Sequence, residues 1–72
     1  MKLMKRGDLI RYWFAPKYPI FGVVIEKYDY QINSIIQEGT YLYTVDILKP
    51  DGTMEKFDIH EGDKWELIGE TR

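Results

Sequence analysis

Glycine and proline turn signals divide this chain, and that punctuation limits its fold more than any other feature. Gly7-Asp8, Pro16 to Pro19, Gly39, Pro50-Asp51-Gly52 and Glu61-Gly62-Asp63 break the chain into short pieces. The pieces between them are rich in β-branched and aromatic residues, the composition a pleated, half-buried surface prefers. The spacing predicts strands near 8–14, 21–30, 40–49, 53–59 and 64–68. In the second, Phe21, Val23 and Ile25 alternate with Gly22, Val24 and Glu26. In the third, Tyr41, Tyr43, Val45 and Ile47 alternate with Leu42, Thr44, Asp46 and Leu48. Period two means that one face of each strand is meant for a core. Pro50-Asp51-Gly52-Thr53 is the strongest turn signal, because Gly52 takes the positive φ that a tight hairpin requires.

Two segments read less simply. Ile32, Ile35 and Ile36 have helix-like spacing, but the nine residues from Gln31 to Gly39 are too few for an independent helix. They read as a loop whose isoleucines either drop onto the core or form an exposed apolar tip used for binding. The stretch Asp58 to Asp63 reads as a short 3₁₀ turn before the last strand. The expected inward residues of strand one are Ile10, Tyr12 and Phe14, which leaves Leu9, Arg11 and Trp13 facing out.

Seventy-two residues form one domain, 1–72, with a single small core. Five short strands cannot build a two-sheet sandwich of ordinary size, but they can curl into a small all-β barrel that hides most sheet edges. With no cysteine, neither a disulfide framework nor a thiolate zinc site braces the fold. No apolar run approaches the roughly 20 residues of a membrane helix, and no signal-peptide segment opens the chain, so a cytoplasmic protein without membrane contact is expected.

The strands in order carry a resemblance. Lys5-Arg6-Gly7-Asp8-Leu9-Ile10-Arg11-Tyr12 resembles the Gly-Asp-x-Val opening of SH3-like barrels, including KOW and tudor-like modules. Phe21-Gly22-Val23-Val24-Ile25-Glu26 resembles their second strand. Val45-Asp46-Ile47 with Pro50-Asp51-Gly52 resembles the third strand and its turn, and Trp65-Glu66-Leu67-Ile68-Gly69-Glu70 the closing one. The whole is also similar to short SH3-like proteins of tailed bacteriophages. The resemblance implies a five-stranded SH3-like barrel. Ala15 to Ile20 would then be its first long loop, and the chain a phage accessory or host-directed factor working in the host cytoplasm. Lys27-Tyr28-Asp29-Tyr30 is similar to the Ala-Leu-Tyr-Asp-Tyr signature of signalling SH3 domains, but it falls at the end of the second strand, so polyproline recognition is not carried over.

Chemistry can be judged by inventory. The single serine, Ser34, and the single histidine, His60, lie in different segments without a surrounding motif, and a chain this short builds no deep cleft. No enzyme and no small-molecule substrate is expected. Asp58, His60, Glu61 and Asp63 match neither an EF-hand nor a zinc spacing and read as a solvated turn, so no metal is expected. The glycines are isolated, with no phosphate-cradling loop, and no cofactor is expected.

Aromatic residues are the surplus. Six Tyr, three Phe and two Trp exceed what so small a core absorbs, so some reach the surface. Trp13, Tyr18 and Phe21 would gather around the Ala15 to Ile20 loop, either closing the barrel mouth or forming a binding patch of the rigid kind that dominates protein contacts. Together with Ile35 and Ile36 they are the candidate protein-binding residues, for a partner protein or for self-association.

Charge suggests an alternative. Residues 1–27 hold six basic against two acidic side chains, a net of +4, and residues 28–72 four basic against ten acidic, a net of −6. Lys2, Lys5, Arg6, Arg11 and Lys17 would meet phosphates in a nucleic-acid reading, with Trp13 or Tyr18 stacking on bases. The acidic remainder and a pI near 5.3 oppose it. Neutralisation between neighbouring strands is the structural alternative. A third class is a methylated-lysine reader built from the tyrosines.

Overall fold

A computed structural model describes residues 3–30 and 40–70. It contains five antiparallel strands and, among the described residues, no helix. They are β1 (Asp8–Ala15), β2 (Tyr18–Tyr28), β3 (Tyr41–Leu48), β4 (Met54–His60) and β5 (Lys64–Glu70). The expected strands all form, within one to three residues at their ends. They make one sheet in the order β4-β3-β2-β1-β5. This small all-β fold is compatible with an SH3-like domain.

Three expectations are corrected. The sheet is not closed into a barrel: β4 and β5 end it at opposite sides without pairing to each other. The two edges are nevertheless joined by only residues 61–63, and a connection that short spans at most about 14 Å, so the sheet must be rolled. Principal extents of 31 × 27 × 26 Å agree. Second, no 3₁₀ turn precedes the last strand. Asp58, Ile59 and His60 complete β4, and the turn after them is closed by the Asp63 amide donating to the His60 carbonyl at 3.1 Å. Third, Ala15 to Ile20 is not a long loop. Pro16 and Lys17 alone make the turn, and β2 starts at Tyr18, with Ala15 facing Tyr18 and Trp13 facing Pro19. Pro19 lacks an N–H to give the ladder, which made the segment read as loop, yet a strand's first residues tolerate proline.

Irregularities supply the curvature. Register slips by one residue at Phe14 in β1, Ile25 in β2, Leu42 in β3 and Ile68 in β5. An extra residue on one strand of a pair bends it and increases its twist. The roll encloses a core of Met4, Ile10, Tyr12, Val24, Tyr43, Val45, Ile47 and Ile59, flanked by Ile20, Leu42, Phe57, Trp65 and Leu67. Tyr12 of β1 and Phe57 of β4 belong to strands that do not pair. Their rings meet at 5.3 Å across the interior, side-chain packing that stands where barrel closure was expected.

Glycine serves the fold in two ways. Gly7, Gly52 and Gly62 take positive φ at the turns before β1, after β3 and after β4. Gly22 has ordinary strand geometry but no room: a Cβ there would run into the Ile47 side chain and lie 2.7 Å from the Leu48 carbonyl oxygen. The β3–β4 turn is tied further by Asp51, whose Oδ1 accepts from the Thr53 amide at 2.9 Å and from its hydroxyl at 2.6 Å.

Candidate functional site

The outward face of β1 and its neighbours carries a ladder of rings and cations. Arg11 stands opposite Phe21 on β2 and Glu66 on β5, and Trp13 opposite Lys64. The Arg11 guanidinium lies 5.6 Å from the centre of the Trp13 ring and 5.1 Å from that of Phe21, while the Lys64 ammonium lies 4.5 Å from that of Trp13. One acidic group, Glu66, approaches Arg11 at 3.5 Å. Arg11 Nε is buried and has no hydrogen-bond partner among the described residues. Such cation–ring contacts are favourable and fix the long basic side chains against the rings.

Of the expected protein-binding residues, Trp13 and Phe21 therefore come together, bridged by Arg11. Tyr18 does not join them. Strand alternation puts it on the face of Ile20 and Gly22, opposite Phe21. It is 71% exposed, the most exposed large apolar residue described. Phe14, expected in the core, is 58% exposed instead. The slip at Phe14 carries it beyond the enclosed core, where its ring leans on Phe57 at 6.1 Å. The β1–β2 hairpin thus presents aromatics on both sides: Phe14 and Tyr18 on one, Phe21 (42% exposed) and half-buried Trp13 on the other. Ile35 and Ile36 lie outside the described residues.

The basic residues of the alternative are dispersed. Lys5 and Arg6 precede β1 and Lys17 follows it, and eight strand residues separate those ends by about 26 Å. Arg11 between them is engaged with Glu66, Trp13 and Phe21. Lys2 lies outside the described residues.

The acidic turn that prompted the metal question has structural duties. Asp58 Oδ1 accepts from the Thr44 hydroxyl at 2.6 Å. Asp63 Oδ2 accepts from the Tyr12 hydroxyl at 3.0 Å and from the His60 amide at 2.9 Å. His60 is buried, with Nδ1 3.2 Å from the Asp58 carbonyl. Among the described residues no group of three or more His, Cys, Asp or Glu is placed to hold a metal ion. Ser34 lies outside the described residues.

A polar layer covers the outer side of β2, β3 and β4. Asp46 accepts from the Lys56 ammonium and the Tyr28 hydroxyl, both at 2.7 Å, and Tyr41 and Thr44 share a hydrogen bond at 2.9 Å. Burial pushes the Asp46 carboxyl up, but those two donors outweigh it and hold the group below its ordinary range. Burial also raises the Tyr12 phenol well above its normal range, helped by the neighbouring Asp63 charge, and raises Tyr43.

A small cleft of about 90 Å³ opens between the start of β3, the end of β4 and the β4–β5 turn, lined by Leu42, Tyr43, Ile59, Glu61, Asp63 and Trp65 among others. Sites for drug-sized ligands run to about 300–1,000 Å³, so its capacity is a single side chain. No family model, curated protein or solved structure matches this chain. Among the described residues no helix is long and apolar enough to cross a membrane.

Proposed function

We propose that this chain is a non-enzymatic protein-interaction module whose contact surface is the aromatic β1–β2 hairpin. The observation that carries the reading is the concentration of exposed rings there. Phe14, Tyr18 and Phe21 fall within eight residues, on two strands joined by a two-residue turn. Rings on a short-turned hairpin lose little conformational freedom on binding, and aromatic anchors supply most of the energy of protein contacts. Leaving them in water is unfavourable for the free chain and is offset when a partner covers them. Trp13 and Arg11 extend the surface around the hairpin, with Arg11 held ready by its two rings. In the role of a phage accessory or host-directed factor, which the sequence pattern implies, the hairpin would occupy a surface of a host protein in the cytoplasm.

One observation favours a nucleic-acid contact instead: Arg11 and Lys64 both lie over Trp13, the pairing of cation and ring that single strands use. The dispersal of Lys5, Arg6 and Lys17 weighs against it.

Affinity capture with the tagged chain, with and without nuclease and at two salt concentrations, separates the readings. The module reading predicts a defined protein that survives nuclease and moderate salt, binds the purified chain directly, and is lost with Trp13→Ala or Tyr18→Ser. Recovery of nucleic acid, or loss of all bound material on nuclease treatment, contradicts it.

A further inference from the structure

The cleft beside the β4–β5 turn combines three properties that suit one kind of guest. Its floor is apolar, from Leu42 and Ile59. Its walls are aromatic, from Tyr43 and Trp65. The acidic residues Glu61, exposed, and Asp63, half-buried, line it too, beside the buried His60 and the exposed Leu3. Among the described residues no lysine or arginine lines it. The neighbouring Lys64 is turned away, its ammonium over the Trp13 ring on the other face of the sheet. Tyr43 already holds the Lys27 ammonium 4.5 Å from its ring centre, whereas Trp65 carries neither cation nor ring partner among the described residues.

Asp63 is fixed before any guest arrives. Both hydrogen bonds that its carboxylate accepts from the described residues, from the Tyr12 hydroxyl and the His60 amide, end on Oδ2, which leaves Oδ1 to accept another. Gly62, at the lip, has no heavy atom of the described residues, its chain neighbours aside, within 4 Å of where a Cβ would stand. An apolar floor takes a hydrocarbon stem, an indole face attracts a cation, and paired carboxylates accept from its N–H groups.

From this arrangement we infer that the cleft is a binding site for one basic side chain, a lysine or arginine presented by a peptide. The fit is to an amphipathic cation with N–H donors. An anion meets two carboxylates, and a neutral aliphatic chain leaves them without a partner. No lining residue belongs to β1 or β2, so the site stands independently of the hairpin surface. A failed cleft titration leaves that reading intact, and hairpin variants leave the cleft titration unchanged.

The test is a titration of the ¹⁵N-labelled full chain with Nα-acetyl-lysine N-methylamide and with the arginine equivalent, using the norleucine equivalent as the neutral isostere. The inference predicts saturable shifts of the Trp65 indole and the Gly62 and Asp63 amides, with Kd of about 1–10 mM for a ligand of this size. Norleucine should bind at least about fivefold more weakly. Glu61→Gln, at an exposed position, should weaken lysine binding about two- to fivefold. Asp63→Asn should weaken it more, with the amide spectrum showing whether the turn persists. An Nε-trimethyl-lysine derivative, which cannot donate, should bind less well than lysine. Equal response to norleucine, shifts confined to the Trp13 face, no effect of Glu61→Gln, tighter binding of the trimethyl form, or no shift at all would each overturn it.

Discussion

Replacing Gly22 by alanine tests the packing argument at its tightest point. The added Cβ would overlap the Ile47 side chain and lie 2.7 Å from the Leu48 carbonyl oxygen, where real Cβ atoms are essentially never found. A side-chain end can rotate aside, but Leu48 O belongs to the backbone of β3, which pairs with β2 at Val23↔Leu48 and Val24↔Ile47. Relief therefore requires those two strands to separate locally. Overpacking of this kind costs about 1–3 kcal/mol, and the backbone obstacle puts the expected cost at about 2–3 kcal/mol. A domain of this length holds roughly 4–11 kcal/mol in all. The melting temperature should fall by about 10–20 °C, read by thermal and urea unfolding followed by circular dichroism. Gly69→Ala is the control. Among the described residues nothing beyond its chain neighbours lies within 4 Å of its added Cβ, so it should be neutral or slightly stabilising, because glycine in a strand carries an entropic penalty. A Gly22→Ala change within about 0.5 kcal/mol of wild type, with an unchanged urea slope, would refute the close approach of β2 and β3.

Other consequences follow from the polar groups. Asp46 is held below the ordinary carboxylate value of 3.8, so its contribution is complete above that pH and lost as the pH falls through the lower folded-state value. The urea midpoint should therefore drop from about pH 4 downward, and less so in Asp46→Asn. Tyr12 and Tyr43 are raised above the ordinary 10.0, so their contribution is present below that pH and lost as the pH rises. Their tyrosinate absorbance should appear together with unfolding rather than before it. Tyr12→Phe removes the bond to Asp63 and should cost about 1 kcal/mol, measured by thermal melting.

Much of the strand plan was legible because turn chemistry is local. Gly52 and Gly62 mark their turns through a backbone conformation other residues avoid, and β3 shows its period-two alternation directly in its residues. What could not be read depends on register. Phe14 keeps the parity of Ile10 and Tyr12, and only the slip opposite Tyr18, a property of two strands together, takes it out of the core. The same holds for Tyr18: its segment read as loop because Pro19 stands beside it, and once in a strand its parity separates it from Phe21. The meeting of Trp13 with Phe21 was anticipated, but not that Arg11 would join them or that Lys64 would cap the ladder, since both depend on cross-strand neighbours. The cleft gave no signal because its walls come from the segment before β1, from β3, β4 and β5, and from the turn between the last two. Tyr43 and Ile59 are register partners on β3 and β4, and only rolling the sheet brings Trp65 of β5 to them.

The measurement closest to the central claim is the affinity of the purified chain for a captured partner protein, compared between wild type and Tyr18→Ser, with Lys17→Ser as a neighbouring exposed control. Tyr18 is 71% exposed and has no described hydrogen-bond or ring partner, so removing its ring should leave the fold and melting temperature almost unchanged. If the hairpin is the contact surface, Tyr18→Ser should weaken binding about tenfold or more, the signature of an aromatic anchor, while Lys17→Ser changes it little. Equal affinity of wild type and Tyr18→Ser would place the contact elsewhere and contradict the account.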